Sequence, residues 1–180
     1  MRTNLSLLLL MIFVATASAQ PNDKVAKTPK LNYDWRAGFV SITELTGAFG
    51  LAKTESGLSR YYYGITTEAG YQFTRNMKGG IGIGVHKHNE GTLFPLYLDV
   101  RYSFSAQEIV PFFAGAGGLM LDFNELGNTR VFINPSAGLH YVAAKRTAVT
   151  FSTGLMVTTG GANARKSFVN FKLGLEFKSK

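Results

Sequence analysis

The stretch from Leu93 to Phe104 alternates apolar and polar side chains, and this period most constrains the fold. One face of the run carries Phe94, Leu96, Leu98, Val100, Tyr102 and Phe104. The other carries Tyr97, Asp99, Arg101 and Ser103. A period of two puts successive side chains on opposite sides of a β-strand, whereas one face of a helix needs a period near 3.6. The segment is therefore predicted to be a strand with one apolar face.

Comparable runs recur to the end of the chain, separated by short segments rich in Gly and Asn, which accept the backbone angles of turns. The predicted strands are 36–52, 58–74, 79–88, 92–105, 109–121, 130–142, 147–158 and 167–178. The fifth run is rich in Gly and Ala and shows no clean phase. Eight is the smallest common number of strands in a closed membrane barrel.

The beginning of the chain has the features of an export signal. Residues 1–19 carry one cation, an apolar run from Leu7 to Val14, and the small residues Ala17 and Ala19 before the expected cleavage at Gln20. The apolar run is much shorter than the ~20 residues that a membrane helix needs. Residues 20–32 are polar and predict a mobile periplasmic tail, which leaves residues 33–180 as one domain.

Composition excludes several classes of function. The chain has no cysteine, which removes disulfides and thiolate metal sites. Its formal charge of +8 comes from scattered residues and not from a concentrated basic face, so no nucleic-acid binding is expected. Gly80, Gly82 and Gly84 imitate a nucleotide motif only weakly, because no helix is predicted to follow them. We expect no cofactor.

The choice of outer face depends on the polar residues, since a soluble barrel of the lipocalin kind would put the apolar set inside. Here the polar face mixes charges of both signs with many glycines, which suits a narrow lumen. Aromatic residues cluster at strand ends on the apolar face, as in the interfacial girdles of membrane barrels. These are Tyr71, Phe73, Tyr102, Phe104, Tyr141 and Phe177 at one rim and Tyr61 and Tyr63 at the other. An all-β, eight-stranded antiparallel up-and-down transmembrane barrel is predicted.

Several motifs resemble the small outer-membrane β-barrel domain family, akin to OmpX and the OmpA transmembrane domain. They are Phe39–Gly50, Gly70–Asn76, Gly80–Val85, Pro95–Phe104 and Pro111–Gly117. The resemblance covers about residues 33–180 and implies a location in the bacterial outer membrane. Phe171–Phe177 is similar to the C-terminal signal that the barrel-assembly machinery recognises, although Lys178, Ser179 and Lys180 follow it.

Ionisable residues on the predicted lumen face are the candidate functional network. They are Glu44, Glu68, Asp99, Arg101, Lys172 and Glu176, with His86 and His140 near the strand ends. Because an unpaired charge in a narrow interior is costly, we expect acids and bases to pair. A plug that closes the lumen is the favoured interpretation, and a narrow pore gated by Arg101 or Lys172 is the alternative.

Histidine offers two further chemistries, both weak. His86 and His88 could share a metal, since alternate residues point the same way, but no third ligand is evident and a solvated strand end is the simpler interpretation. Lipid hydrolysis needs a Ser activated by a His. No His stands two residues before a Ser, as the lipid A deacylase pattern requires, and His140 and Ser136 face the lumen. We therefore expect no enzyme.

The predicted external loops offer a contact surface, since recognition residues are common on loops. Their basic residues are Lys53, Arg60, Lys87, Arg130, Arg165 and Lys166. These could hold lipopolysaccharide phosphates within the outer-membrane lipid, or an acidic surface partner. The expected role is structural or surface-binding; a narrow pore, an adhesin and a soluble secreted carrier are the alternatives.

Overall fold

The computed structural model describes residues 33–51, 61–88, 91–104, 109–123, 129–159 and 165–179. The strands of the chain are β1 Gly38–Gly50, β2 Tyr61–Gln72, β3 Met77–His88, β4 Gly91–Ser103, β5 Ile109–Leu121, β6 Arg130–Ala144, β7 Thr147–Thr159 and β8 Lys166–Lys178. The predicted signal and tail, residues 1–32, lie outside the described residues. Among the described residues, no helix is long and apolar enough to cross a membrane.

The eight strands form a closed antiparallel barrel in which each strand pairs with the next. β8 returns to pair with β1, so that Leu45 lies between Ile65 on β2 and Leu173 on β8. Closure satisfies the backbone groups of strand edges, which a bilayer could not hydrogen-bond. The predicted eight-stranded barrel is therefore confirmed.

The barrel is inverted relative to a soluble protein. Leu98 on the outer face is 63 % exposed, whereas Arg101 on the inner face is only 2 % exposed. An apolar outer band suits hydrocarbon and would be unfavourable in water. The architecture is that of a transmembrane barrel, and the opposite assignment of faces, as in a soluble carrier, is wrong.

Half-exposed aromatic side chains ring both ends of this outer face. We call the end that holds Gly38 and Lys178 the proximal end, and the opposite end the distal end. At the proximal rim the ring centroids of Tyr102 and Phe104 are 5.5 Å apart, and Tyr61 and Tyr63 stand at the distal rim. Aromatic rings at both rims match the girdles that lie at the membrane–water interfaces.

The distal half of the lumen is filled by an apolar layer, which the sequence did not predict. Its members are Ala48, Tyr62, Leu93, Tyr97, Ala116, Met120, Phe132, Met156 and Phe168. The fifth strand, whose phase was unclear, contributes Ala116 and Met120 to it. The lumen thus contains an apolar distal layer above a charged proximal half.

A glycine makes room for one of the rings in this layer. A Cβ atom on Gly82 would lie 2.2 Å from Cζ of Tyr97, well inside van der Waals contact. The ring therefore packs over the bare backbone of the neighbouring strand β3, where any side chain would displace it. The inward glycines of β3 provide lumen space and do not form a nucleotide loop.

Candidate functional site

A buried cluster surrounds the guanidinium of Arg101, and we call it the central cluster. Arg101 Nη2 lies 2.9 Å from Glu44 Oε1 and 3.2 Å from Glu68 Oε2. Its Nε donates to Asp99 Oδ2 at 2.6 Å. Lys172 Nζ adds a second cation 3.3 Å from Glu44 Oε2. One planar guanidinium fork therefore holds carboxylates from three strands.

The strand pattern explains why these side chains meet. Glu44, Glu68, Asp99, Arg101 and Lys172 all occupy inward positions, because residues two apart on a strand share a face. Arg101 Cζ also lies 5.7 Å from the centre of the Phe112 ring on β5, within reach of a cation–π contact. Such buried charges are tolerable only when each has a close partner. The central cluster meets that condition for five of the six predicted residues.

The sixth residue, Glu176, belongs to a separate group at the proximal end, which we call the proximal cluster. Lys78 Nζ forms an ion pair with Glu176 Oε2, and His140 Nε2 lies 3.4 Å from Oε1. The hydroxyl of Tyr33 donates to Oε1 at 2.6 Å. The predicted lumen residues are thus divided between two clusters at different heights.

A short segment before β1 covers the proximal mouth. The Trp35 ring lies 4.7 Å from that of Tyr33 and 5.5 Å from that of His140. Lys178 Nζ donates to the carbonyl oxygens of Asp34, at 2.5 Å, and of Arg36. We call residues 33–36 the proximal plug, since it packs on Val142 and Ala148 at the base of the lumen.

Two ionisable groups of the plug have displaced titrations. Burial, together with the carboxylate of Glu176, raises the pKa of the Tyr33 hydroxyl far above its usual value. Hydrogen bonds from the Arg36 side chain lower the pKa of Asp34 well below its usual value. The raised pKa keeps the Tyr33 hydroxyl protonated near neutral pH, as its hydrogen bond to Glu176 requires.

Two buried cations of the proximal half were not among the predicted lumen residues. Lys78 and Lys178 are 6 % exposed and point inward. Their positions in the period were visible, since Lys78 shares the parity of Gly80 and Gly82, and Lys178 that of Glu176. With them the proximal half contains four acids (Glu44, Glu68, Asp99, Glu176) and four bases (Lys78, Arg101, Lys172, Lys178) among the described residues.

A hydrogen-bonded pair links the charged half to the apolar layer. Asn170 Nδ2 donates to the hydroxyl of Tyr62 at 3.3 Å and to Asn134 Oδ1 at 3.1 Å. The Tyr62 hydroxyl in turn lies 3.5 Å from Met156 Sδ. The amide nitrogen of Asn170 is therefore satisfied within the protein, whereas its buried Oδ1 has no hydrogen-bond partner among the described residues.

The two candidate metal ligands were expected at a solvated strand end. The structure contradicts that expectation. His86 and His88 are buried in the lumen, where both rings lie beside Tyr62, with centroids 4.8 Å and 5.1 Å away. None of the four imidazole nitrogens has a hydrogen-bond partner in the structure. The described residues contain no group of three or more possible metal ligands.

Placement of the predicted external basic residues is mixed. Lys53 and Arg60 lie outside the described residues, and Lys87 and Arg165 are exposed. Arg130 and Lys166 are corrections to the prediction. They begin β6 and β8 at inward positions and are almost completely buried in the distal lumen. Each is an even number of residues from a buried asparagine on its own strand, Asn134 on β6 and Asn170 on β8. The two side chains therefore point into the lumen.

His140 has the surroundings of a packing residue. It is 1 % exposed, and its neighbours are the carboxylate of Glu176 and the rings of Tyr33 and Trp35. Nucleophilic catalysis would need a hydroxyl within hydrogen-bond reach of an imidazole whose face meets substrate. The described residues offer no such arrangement at His140, because the rings of Tyr33 and Trp35 in the proximal plug cover it.

The contact between Tyr33 and Glu176 gives a testable expectation. Replacing Tyr33 with Phe removes a hydrogen bond to a buried carboxylate, which is worth about 1.5–3 kcal/mol. The Tyr33→Phe barrel should lose that much free energy of unfolding, measured by urea titration in lipid vesicles. Tyr61→Phe, whose ring faces outward at the distal rim, is the matched control and should change it little. Equal stability of Tyr33→Phe and wild type would contradict the hydrogen bond.

Comparison with known proteins gives the fold. No family model matches the chain, and no curated protein matches it. Its structure is similar to Neisserial surface protein A (NspA), with a TM-score of 0.56 and 14 % identity over 80 % of this chain and 99 % of that one.

Two further solved structures give weaker matches. The N-terminal β-barrel domain of Pseudomonas aeruginosa OprF matches with a TM-score of 0.47 and 17 % identity over 79 % of this chain and 100 % of that one. A transmembrane β-barrel designed de novo matches with a TM-score of 0.46 and 12 % identity over 78 % and 95 %. From the closed register, the inverted faces and the similarity to NspA, this chain has the fold of a small eight-stranded transmembrane β-barrel.

Proposed function

We propose that this protein is an integral protein of the bacterial outer membrane that acts as a closed, non-conducting scaffold with a structural or surface-binding role. The proximal end faces the periplasm and the distal loops face outward. The barrel-assembly machinery inserts it after the export signal has been removed. No chemical reaction is assigned to it.

The observation that carries this proposal is the presence of buried side chains at three successive levels of the lumen. The proximal plug supports closure from below through Tyr33 and Trp35. Arg101 and its three carboxylates occupy the middle, and the apolar layer around Tyr62 and Phe168 occupies the distal half. An eight-stranded barrel is only wide enough to be filled by its own side chains. An ion crossing this lumen would have to separate ion pairs and then pass an apolar constriction.

The exterior supports the surface role. Lys87 and Arg165 are exposed at distal strand ends, where anionic lipid phosphates would meet them. A rigid barrel that presents basic rims to lipopolysaccharide would bridge neighbouring phosphates and strengthen the envelope. An adhesin would use the same loops to bind an acidic partner. The outer-membrane lipid would then surround the barrel without being its specific ligand.

Conductance distinguishes the scaffold from a gated pore. Residues 20–180, refolded in detergent and reconstituted in planar bilayers, should give no discrete openings at moderate voltage. A Tyr33→Ala/Trp35→Ala variant, which empties the proximal plug but keeps the central cluster, should also be silent. Heat-modifiable gel migration confirms that each barrel is folded.

The same recording is made with Arg101→Ala, because a pore gated by the lumen network predicts openings in the wild type that this substitution alters. Discrete wild-type openings that change with Arg101 would replace the scaffold with the pore. A silent wild type leaves the scaffold as the better account, whatever the Arg101→Ala barrel does once its central cluster is disrupted.

A further inference from the structure

The ladder between β3 and β4 is interrupted near its distal end. Ile83 pairs with Leu96, and His86 pairs with Leu93 in the same register, but no paired residues join the strands between them. Pro95 lies within this gap and has no N–H to donate. Because the register is unchanged on both sides, the gap is a local loss of ladder pairing and not a bulge.

An apolar groove of about 510 Å³ lies along this gap on the lipid-facing side of the barrel. It is lined by Ile65, Ile83, Val85, Phe94, Leu96 and Phe123. The rings of Phe94 and Phe123 are 4.7 Å apart and close its distal end. The bilayer places hydrocarbon against this surface, and the concave apolar shape suits a linear chain.

A cation stands directly distal to the groove. Lys87 follows Val85 by two residues on β3 and so shares its outward face. Its side chain is exposed and its only described contact is a hydrogen bond to Thr92 Oγ1 at 3.4 Å. Among the described residues no carboxylate pairs with it, and it stands at the level where lipid headgroups meet the barrel.

We propose that this wall groove is a binding site for a phosphate-bearing acyl lipid of the surrounding leaflet. One acyl chain lies in the groove along the β3–β4 gap, and the lipid phosphate is held by Lys87. The bound acyl chain covers the strand segments that lack ladder pairs. The contact between the lipid phosphate and Lys87 makes the site selective for acidic lipids. This site needs only a barrel embedded in a bilayer, and it holds whether or not the lumen conducts.

A second gap in the barrel provides an internal comparison. Ile133 pairs with Val157 and Ser136 with Gly154, but no pairs join β6 and β7 between them, where Pro135 lies. The outward residues of β6 and β7 distal to this second gap, Val131 and Thr159, are neutral, but exposed Arg165 immediately precedes Lys166, which pairs with Thr158. Once Arg165 is replaced by Gln, this proline gap should contact lipid without choosing its headgroup.

Tryptophan quenching can compare the two gaps. Trp35 is the only tryptophan, so a Trp35→Phe background allows one reporter at a time. Phe94→Trp reports on the groove, and Leu155→Trp, combined with Arg165→Gln, reports on the lipid-facing wall at the β6–β7 gap. Each barrel is reconstituted in phosphatidylcholine bilayers that contain rising fractions of phosphatidic acid with brominated acyl chains. Brominated phosphatidylcholine gives the headgroup-independent reference, and heat-modifiable migration confirms folding.

At the Phe94→Trp reporter, phosphatidic acid should be preferred over phosphatidylcholine by about fivefold, as one lysine near a membrane surface contributes. Adding Lys87→Gln should reduce that preference to the value at Leu155→Trp, which is near one. Equal preference at both reporters, or a preference that survives Lys87→Gln, would overturn the proposal. Neither result would bear on the silent lumen, which the conductance recordings test separately.

Discussion

Replacing Arg101 with Met is expected to lower the free energy of unfolding by about 3–5 kcal/mol, the largest change from any single substitution of a charged residue in this barrel. The side chain is 2 % exposed and contacts Glu44, Glu68 and Asp99. Methionine fills similar volume but leaves three carboxylates with Lys172 as their remaining close cation. Urea unfolding in lipid vesicles, followed by the gel shift of the folded barrel, measures the loss.

Neutralising the acids as well separates charge from packing. An Arg101→Met/Glu68→Gln/Asp99→Asn variant, which keeps Glu44 as the partner of Lys172, should recover much of the lost stability, because buried polar amides cost less than unpaired carboxylates. Arg36→Met is the matched control, since its side chain is 79 % exposed and pairs only with Asp34. Its effect should stay below about 1 kcal/mol. A triple variant no more stable than Arg101→Met would show that the guanidinium acts mainly by packing.

The fold could be predicted because a membrane barrel has one dominant sequence rule. Alternation in β2, β4 and β8 assigns every residue to the lumen or the lipid, and the same parity brings Glu44 and Lys172 to adjoining positions. An inward charge must find a partner, so the faces predict that acids and bases pair, but not which of them meet. The inward and outward faces of β5 could not be assigned from the sequence, because Ala and Gly occur on either face.

The filling of the lumen could not be predicted with the same certainty. Parity placed Tyr62 and Phe168 on the inner face, but it does not say at what height they meet Met120 and Phe132 from other strands. Heights depend on the stagger of strands around the barrel, which sequence periodicity does not encode. The separation of Glu176 from the central cluster, and the burial of Arg130 and Lys166, depend on the same unknown.

Tyr33 was missed for a different reason. It precedes the first strand and has no period to reveal its direction, yet its hydroxyl reaches Glu176, 143 residues away in the chain. Only the closure of β8 on β1 brings the two together. Contacts of this kind arise from topology and have no local sequence signal.

Replacing Gly118 with Val is expected to destabilise the barrel by at least about 3 kcal/mol, the upper end of the cost of overpacking. A Cβ atom there would lie 2.1 Å from the carbonyl oxygen of Leu96 and 2.6 Å from Cα of Tyr97. Both are backbone atoms of the adjacent strand β4, so no side-chain rotation can relieve the clash. The strands would have to separate where Tyr97 enters the apolar layer, and urea unfolding in lipid vesicles measures the cost.

Gly115→Val on the same strand is the matched control. A Cβ at Gly115 meets nothing within 4 Å. The position faces lipid, where an added apolar side chain is energetically favourable. Valine also favours strands more than glycine does, so Gly115→Val should equal or exceed wild-type stability. The clash at Gly118 is contradicted if the two substitutions have equal effects. Because both change the same residue type on β5, such a result would show that Gly118 is no more sterically restricted than Gly115.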